Sequence, residues 1–127
     1  MKLAEYFEKT NGVGILSTAG SDGRVNAAIY GRPHVMDDET VAFIAGDRLT
    51  HANLQKNPFA AYLFKEEGSY EGRRLYLTKT REEKNSPLID EIRRKRYKEK
   101  EGQYKSASKF LVYFKVDKIL PLIGDAQ

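Results

Sequence analysis

The stretch "FIAGDRLTHANLQKNPFAAYLF", residues 43–64, sets the frame for the rest of the chain. Its first part completes "TVAFIAG" (40–46), a β-branched and aromatic run suited to a strand. Its last part leads into "FAAYLFK" (59–65), which has almost no polar interruption and predicts a strand buried on both faces. Residues 49–57 between them read as a short helix. Leu49, Ala52 and Leu54 share its inner face, and Pro58 stops it. The pattern is therefore strand, tight junction, helix, strand.

The junction is unusually rich in hydrogen-bonding side chains: Arg48, Thr50, His51 and Asn53 follow Gly46 and Asp47. Amides at a helix start have no partner within the helix and carry partial positive charge. With Arg48, which can hold an oxyanion bidentately, and the Thr50 hydroxyl, such a junction can cradle a phosphate. His51 and Asn53 supply further donors. The simpler alternative makes Thr50 or Asp47 a helix cap and Arg48 a solvated charge.

Outward from this block, "MKLAEYFEKTNG" places Leu3 and Phe7 four apart with Tyr6 beside them, which predicts a short amphipathic helix over residues 2–10. "VGILSTA" (13–19) reads as a buried strand, "GSDG" (20–23) as a turn, and "RVNAAIYGRPHVM" (24–36) as the second arm of a long hairpin. Gly31 and Pro33 interrupt that arm, as a bulge or an edge position would allow. "RRLYLTKTRE" (73–82) alternates, with Leu75 and Leu77 on one side and Tyr76 and Thr78 on the other. Ser86 followed by Pro87 opens a further helix carrying Leu88, Ile89, Ile92 and Tyr97. "KFLVYFKVDKILPLIG" (109–124) alternates over its first half as a central strand. The expected fold is mainly β: a single domain, a six-stranded antiparallel barrel with two or three short helices.

Composition narrows the function classes. With 127 residues the chain has room for one core, and its 40% hydrophobic content and mean hydropathy of −0.63 argue against membrane residence. The N-terminal segment mixes acidic residues into its pattern and is not expected to be a signal peptide. There is no Cys, which removes disulfide and thiolate chemistry and fits the cytoplasm. His34 and His51 are the two histidines, without a metal-ligand spacing, so no metal site is expected. Residues 1–80 hold ten Lys/Arg against ten Asp/Glu; the net +4 comes from the remainder, chiefly "RRKRYKEK" (93–100). That run is expected to be a solvated helix end matched to the helix dipole, not a nucleic-acid site.

The hairpin "GVGILSTAGSDGRVNAAIYG", the block "FIAGDRLTHANLQKNPFAAYLF" and the strand "GRRLYLTKTRE" resemble, in order and spacing, the pyridoxamine 5'-phosphate oxidase-like proteins. The resemblance implies an FMN-binding split β-barrel and a homodimer with each flavin between subunits. It implies a phosphate grip over Arg48, Leu49, Thr50, His51 and Asn53, with Arg48 and Thr50 as its main side chains. "NAAIY" (Asn26, Ala27, Ala28, Ile29, Tyr30) would run along the flavin, with Phe43, Ile44 and Ala45 on the adjacent strand. Arg73 or Arg74 would lie near the flavin, and Tyr30, Arg32 and His34 would line the substrate side. Vitamin B6 oxidases of this kind usually carry basic residues at the positions of Leu49 and Thr50, and a longer basic C-terminal segment. Their activity is not expected here. The expectation is an FMN-dependent oxidoreductase of unassigned substrate. The rivals are a carrier, electron-transfer or sensor protein, a deazaflavin- or haem-binding barrel, and a basic barrel for single-stranded nucleic acid.

Overall fold

The computed structural model describes residues 2–96 and 109–125. The elements run α1 (Leu3–Lys9), β1 (Gly12–Ala19), β2 (Val25–Ile29), β3 (His34–Asp37), β4 (Thr40–Gly46), α2 (Leu49–Lys56), β5 (Phe59–Glu66), β6 (Gly72–Lys84), α3 (Pro87–Arg96) and β7 (Lys109–Pro121). All strands join one antiparallel sheet in the order β2-β1-β5-β6-β7-β4-β3.

The sheet has seven strands, not six. The arm expected over 24–36 breaks at residues 30–33, and its halves go to opposite edges of the sheet. That break forces the barrel. Six interstrand spacings in a flat sheet would separate the edges by roughly 29 Å. The chain from Ile29 to His34 reaches at most about 18 Å. The sheet must therefore roll until its edges approach, leaving a seam between β2 and β3 that is crossed by chain and not by a β ladder. Two register shifts in β6, at Tyr76/Leu77 and Lys79/Arg81, give the long strand its bends.

The rolled interior is aromatic. Phe7, Phe43, Tyr62, Phe64 and Phe114 meet largely edge to face around Leu16, Leu75 and Leu77. Alternation along β4 sends Val41, Phe43 and Ala45 inward. Ala42 points the other way, beneath Ile89 and Ile92 of α3 together with Leu111 and Tyr113 of β7. The Ser86 hydroxyl accepts from the Leu88 amide at 3.2 Å, as its place ahead of Pro87 predicts.

Tyr62 secures the seam. Its hydroxyl passes over Gly14, where a Cβ would clash with it, and donates to the Gly31 carbonyl at 3.0 Å. Arg32 ties the same crossover to the end of α1, donating to the carbonyls of Phe7 at 2.9 Å and Thr10 at 3.2 Å.

Two packing expectations are corrected. β5 is buried on one face only: Tyr62 and Phe64 enter the core, while Phe59 stays 64% exposed. Its apolar run serves the outside of the barrel as well as the inside. The inner face of α2 is not Leu49, Ala52 and Leu54; Leu49 is exposed, and Thr50, His51 and Asn53 accompany Leu54 inward. The stretch of the basic run after Arg96, with Tyr97, lies outside the described residues.

Candidate functional site

The seam is also where a cleft opens. Its volume is 590 Å³, and it is bounded by β2, the crossover, β4, the first turn of α2, and α3. From the expected set it gathers Asn26, Ala28, Ile29, Tyr30, Phe43, Ile44, Arg48, Leu49 and Thr50, together with Arg32 and His34.

The first turn of α2 gives the cleft its chemistry. The residue before the helix, Arg48, is extended, with φ −135° and ψ −173°, and no side chain caps the turn. Neither Thr50 nor Asp47 acts as the cap. No acidic residue stands within this turn, and Asp47, just ahead of Arg48, lies outside the cleft lining with its Oδ1 4.0 Å from His51 Nδ1; the first amides of the helix carry partial positive charge. Thr50 Oγ1 lies 3.5 Å from Asn26 Nδ2, a contact that joins the helix start to β2. Burial pushes the Tyr30 phenol above its ordinary value of 10.0, a rise that its hydrogen bond to Thr50 only partly offsets. Tyr30 therefore remains a neutral phenol in the physiological range.

Five expected residues do not line the cleft: Ala27, Ala45, His51, Asn53 and Arg74. Ala27 is exposed, out of phase with Asn26 and Ala28 on the same strand. Ala45 is buried in the barrel core. Asn53 Nδ2 donates to Thr18 Oγ1 at 3.1 Å, fastening α2 to β1. His51 stacks on Phe110, with ring centroids 3.7 Å apart, and its Nε2 lies 2.9 Å from Glu82 Oε2. Arg74 Nε donates to the Pro121 carbonyl at 2.9 Å, and the same side chain reaches the Gly124 carbonyl, so it holds the end of β7. Arg73 lies over the Tyr6 ring. For His51, Asn53, Arg73 and Arg74 the polar group is used inside the protomer.

Beyond the expected residues the lining includes Gly31, Ala42, Gly46, Ile92 and Arg93, of which Arg93 is charged. Arg93 is only 9% exposed and lines the cleft with Ile92. As part of a basic run it reads as a solvent-facing charge. Its spacing from Ile89, four residues on, already places it on the buried face of α3. Among the described residues, Arg32, Arg48, Arg93 and His34 border the cleft and no Asp or Glu does.

Among known folds, a crystal structure of an FMN-binding protein from Syntrophomonas wolfei superposes over 97% of this chain and 85% of its own, with TM-score 0.79 and 20% identity. HutZ, the haem storage protein of Vibrio cholerae, matches over 94% of each chain with TM-score 0.70 and 16% identity. A Lactobacillus delbrueckii protein, provisionally named a pyridoxamine 5'-phosphate oxidase, matches over 93% of this chain and 89% of its own, with TM-score 0.65 and 13% identity. The fold is the pyridoxamine 5'-phosphate oxidase-like split barrel. No family model matches the sequence, and no curated protein does. Among the described residues, no group of three metal-ligating side chains occurs and no helix is long and apolar enough to cross a membrane.

Proposed function

We propose that this split barrel binds FMN in the seam cleft, with the phosphate against the first turn of α2, Arg48 and Thr50. The observation that carries the proposal is the uncapped helix start opening, beside Arg48, into the cleft at the seam. The residues present fit the group: unpartnered amides and a guanidinium suit a phosphate. Ala28, Ile29 and Ile44 offer apolar surface to a planar ring system.

FMN, when bound, supplies the redox chemistry, and the protein supplies position and electrostatics. Arg48 neutralises the phosphate, the α2 amides orient it, and the apolar strand residues keep water from the ring. Tyr30, as a neutral phenol, can donate a hydrogen bond into the cleft. The enzymatic form of the proposal is an oxidoreductase working in the cytoplasm.

The working unit in this proposal is a homodimer. Val25 and Ile29 are each 78% exposed and Phe59 64% exposed. Val25 and Phe59 line a groove of 640 Å³ together with the exposed Tyr76, and Ile29 lies on the same side of β2 as Val25. Exposed apolar surface of this kind usually marks an interface. Ile29 also borders the cleft, so the face and the site are contiguous.

A second reading, a non-catalytic flavin or haem carrier, is favoured by the described residues lining the cleft, among which no carboxylate stands to move protons. Titrating apo-protein with FMN, a deazaflavin and haem, followed by absorbance, selects the cofactor. Saturable one-to-one binding of FMN in preference to the others supports the proposal; preference for haem refutes it. Anaerobic mixing of the FMN form with reduced nicotinamide nucleotides then separates reductase from carrier by whether the flavin band bleaches.

A further inference from the structure

The helix that begins the proposed phosphate site is fastened to the barrel mostly by polar bonds. Of the four buried residues of α2, only Leu54 is apolar. An isolated helix of eight residues is marginal in water, and apolar packing is non-directional. The angle at which the first turn faces the cleft is therefore set by hydrogen bonds.

The densest group of these bonds lies away from the cleft, on β6. His51 sits beside Thr50 in the first turn of α2 and is 7% exposed. Its ring lies nearly parallel to Phe110, 15° between planes, and its Nε2 is 2.9 Å from Glu82 Oε2. The other Glu82 oxygen accepts from Lys79 Nζ at 2.7 Å and from Gln55 Nε2 at 2.8 Å. Gln55 Nε2 also lies 3.0 Å from His51 Nε2 and 3.2 Å from the His51 carbonyl. A carboxylate only accepts, so the arrangement is satisfied with the proton on His51 Nε2. Nε2 then donates to Glu82, and Gln55 serves the carboxylate and the carbonyl. Lys79 Nζ further lies 3.5 Å from the Leu54 carbonyl of the helix itself. None of Glu82, Lys79, His51 and Gln55 lines the cleft.

We propose that Glu82 is a positioning residue for phosphate recognition. Acting through His51, it fixes the rotation of α2 so that the free amides of the first turn and the Thr50 hydroxyl face the cleft. The proposal rests on the phosphate site proposed above.

The test compares affinities of apo-protein for FMN and for riboflavin, which lacks the phosphate, by flavin fluorescence quenching. In Glu82→Ala, FMN affinity is expected to fall about tenfold, the equivalent of one well-placed hydrogen bond, and riboflavin affinity to stay within about twofold. Glu82→Gln retains one acceptor oxygen and is expected to lose less. It decides the matter if Glu82→Ala does not fold by circular dichroism. Equal losses for the two ligands would show a merely structural role and overturn the proposal, as would unchanged FMN affinity. Arg48→Ala, measured alongside, separates the two levels. If Arg48→Ala fails to discriminate FMN from riboflavin, the phosphate site itself is wrong. If it discriminates and the Glu82 variants do not, only the positioning role falls.

Discussion

Phe59→Ala measures the proposed dimer face directly. Phe59 leaves 64% of its surface exposed in the protomer. Complete burial of a large apolar side chain contributes about 1.5–3 kcal/mol, so covering that remaining fraction contributes about 1–2 kcal/mol per copy. A two-fold interface uses each residue twice, which doubles the loss to about 2–4 kcal/mol per dimer. The dimer dissociation constant should therefore rise roughly 30- to 900-fold. Sedimentation equilibrium over a wide dilution range reads this change. FMN affinity in the variant should become concentration-dependent over the same range, because Ile29 joins the face to the cleft. An unchanged assembly state in Phe59→Ala, or a monomer in the unsubstituted protein at every concentration, would refute the reasoning.

Three other outcomes follow from separate parts of the structure. Burial alone would raise the Glu82 carboxyl. Hydrogen bonds from Lys79, His51 and Gln55 outweigh that and lower it from 4.5 to about 2. Its contribution to stability is thus complete above the ordinary value and lost as pH falls from about 4.5 toward 2; in urea denaturation, the stability gap between the unsubstituted protein and Glu82→Gln should be open at pH 6 and close across that window. Gly14→Ala should cost about 1–3 kcal/mol, seen as a lowered thermal midpoint, because the new methyl drives the Tyr62 hydroxyl off the crossover carbonyl. Labelled single-stranded oligonucleotides should bind no more tightly than about 10 µM at physiological salt by anisotropy, the ordinary non-specific range.

Much of the barrel was legible because alternation is a local signal. The inward and outward sets of residues 40–46 and 109–114 can be read directly from every second side chain, and Ser86-Pro87 marks its helix start within two residues. The break at residues 30–33 was visible as Gly31 and Pro33. Its consequence was not: β2 and β3 follow their hairpin partners β1 and β4, which lie far apart because β1 pairs with β5 and β4 with β7, pairings that no local pattern encodes. The site divides along the same line. Arg48 and Thr50 were identifiable as donors at a helix start, and both line the cleft. His51 and Asn53 looked identical to them in sequence. Helical rotation turns them instead toward β6, β7 and β1. Ranking α2 positions by hydrophobicity chose the wrong inner face, because this helix docks through hydrogen bonds. Arg93 was obscured by its charged neighbours, although its spacing from Ile89 carried the signal.

The many donors ahead of β5 thus have two tasks: some face the cleft, and others hold the helix that presents them. The claim that the cleft side reads a phosphate is tested most directly by titrating apo-protein and its Arg48→Ala variant with FMN and riboflavin. A charge-assisted hydrogen bond is worth about 1.5–3 kcal/mol, so the variant should bind FMN roughly ten- to a hundredfold more weakly while riboflavin binding is unaltered. Equal loss of affinity for the two flavins, or none for FMN, would contradict the account.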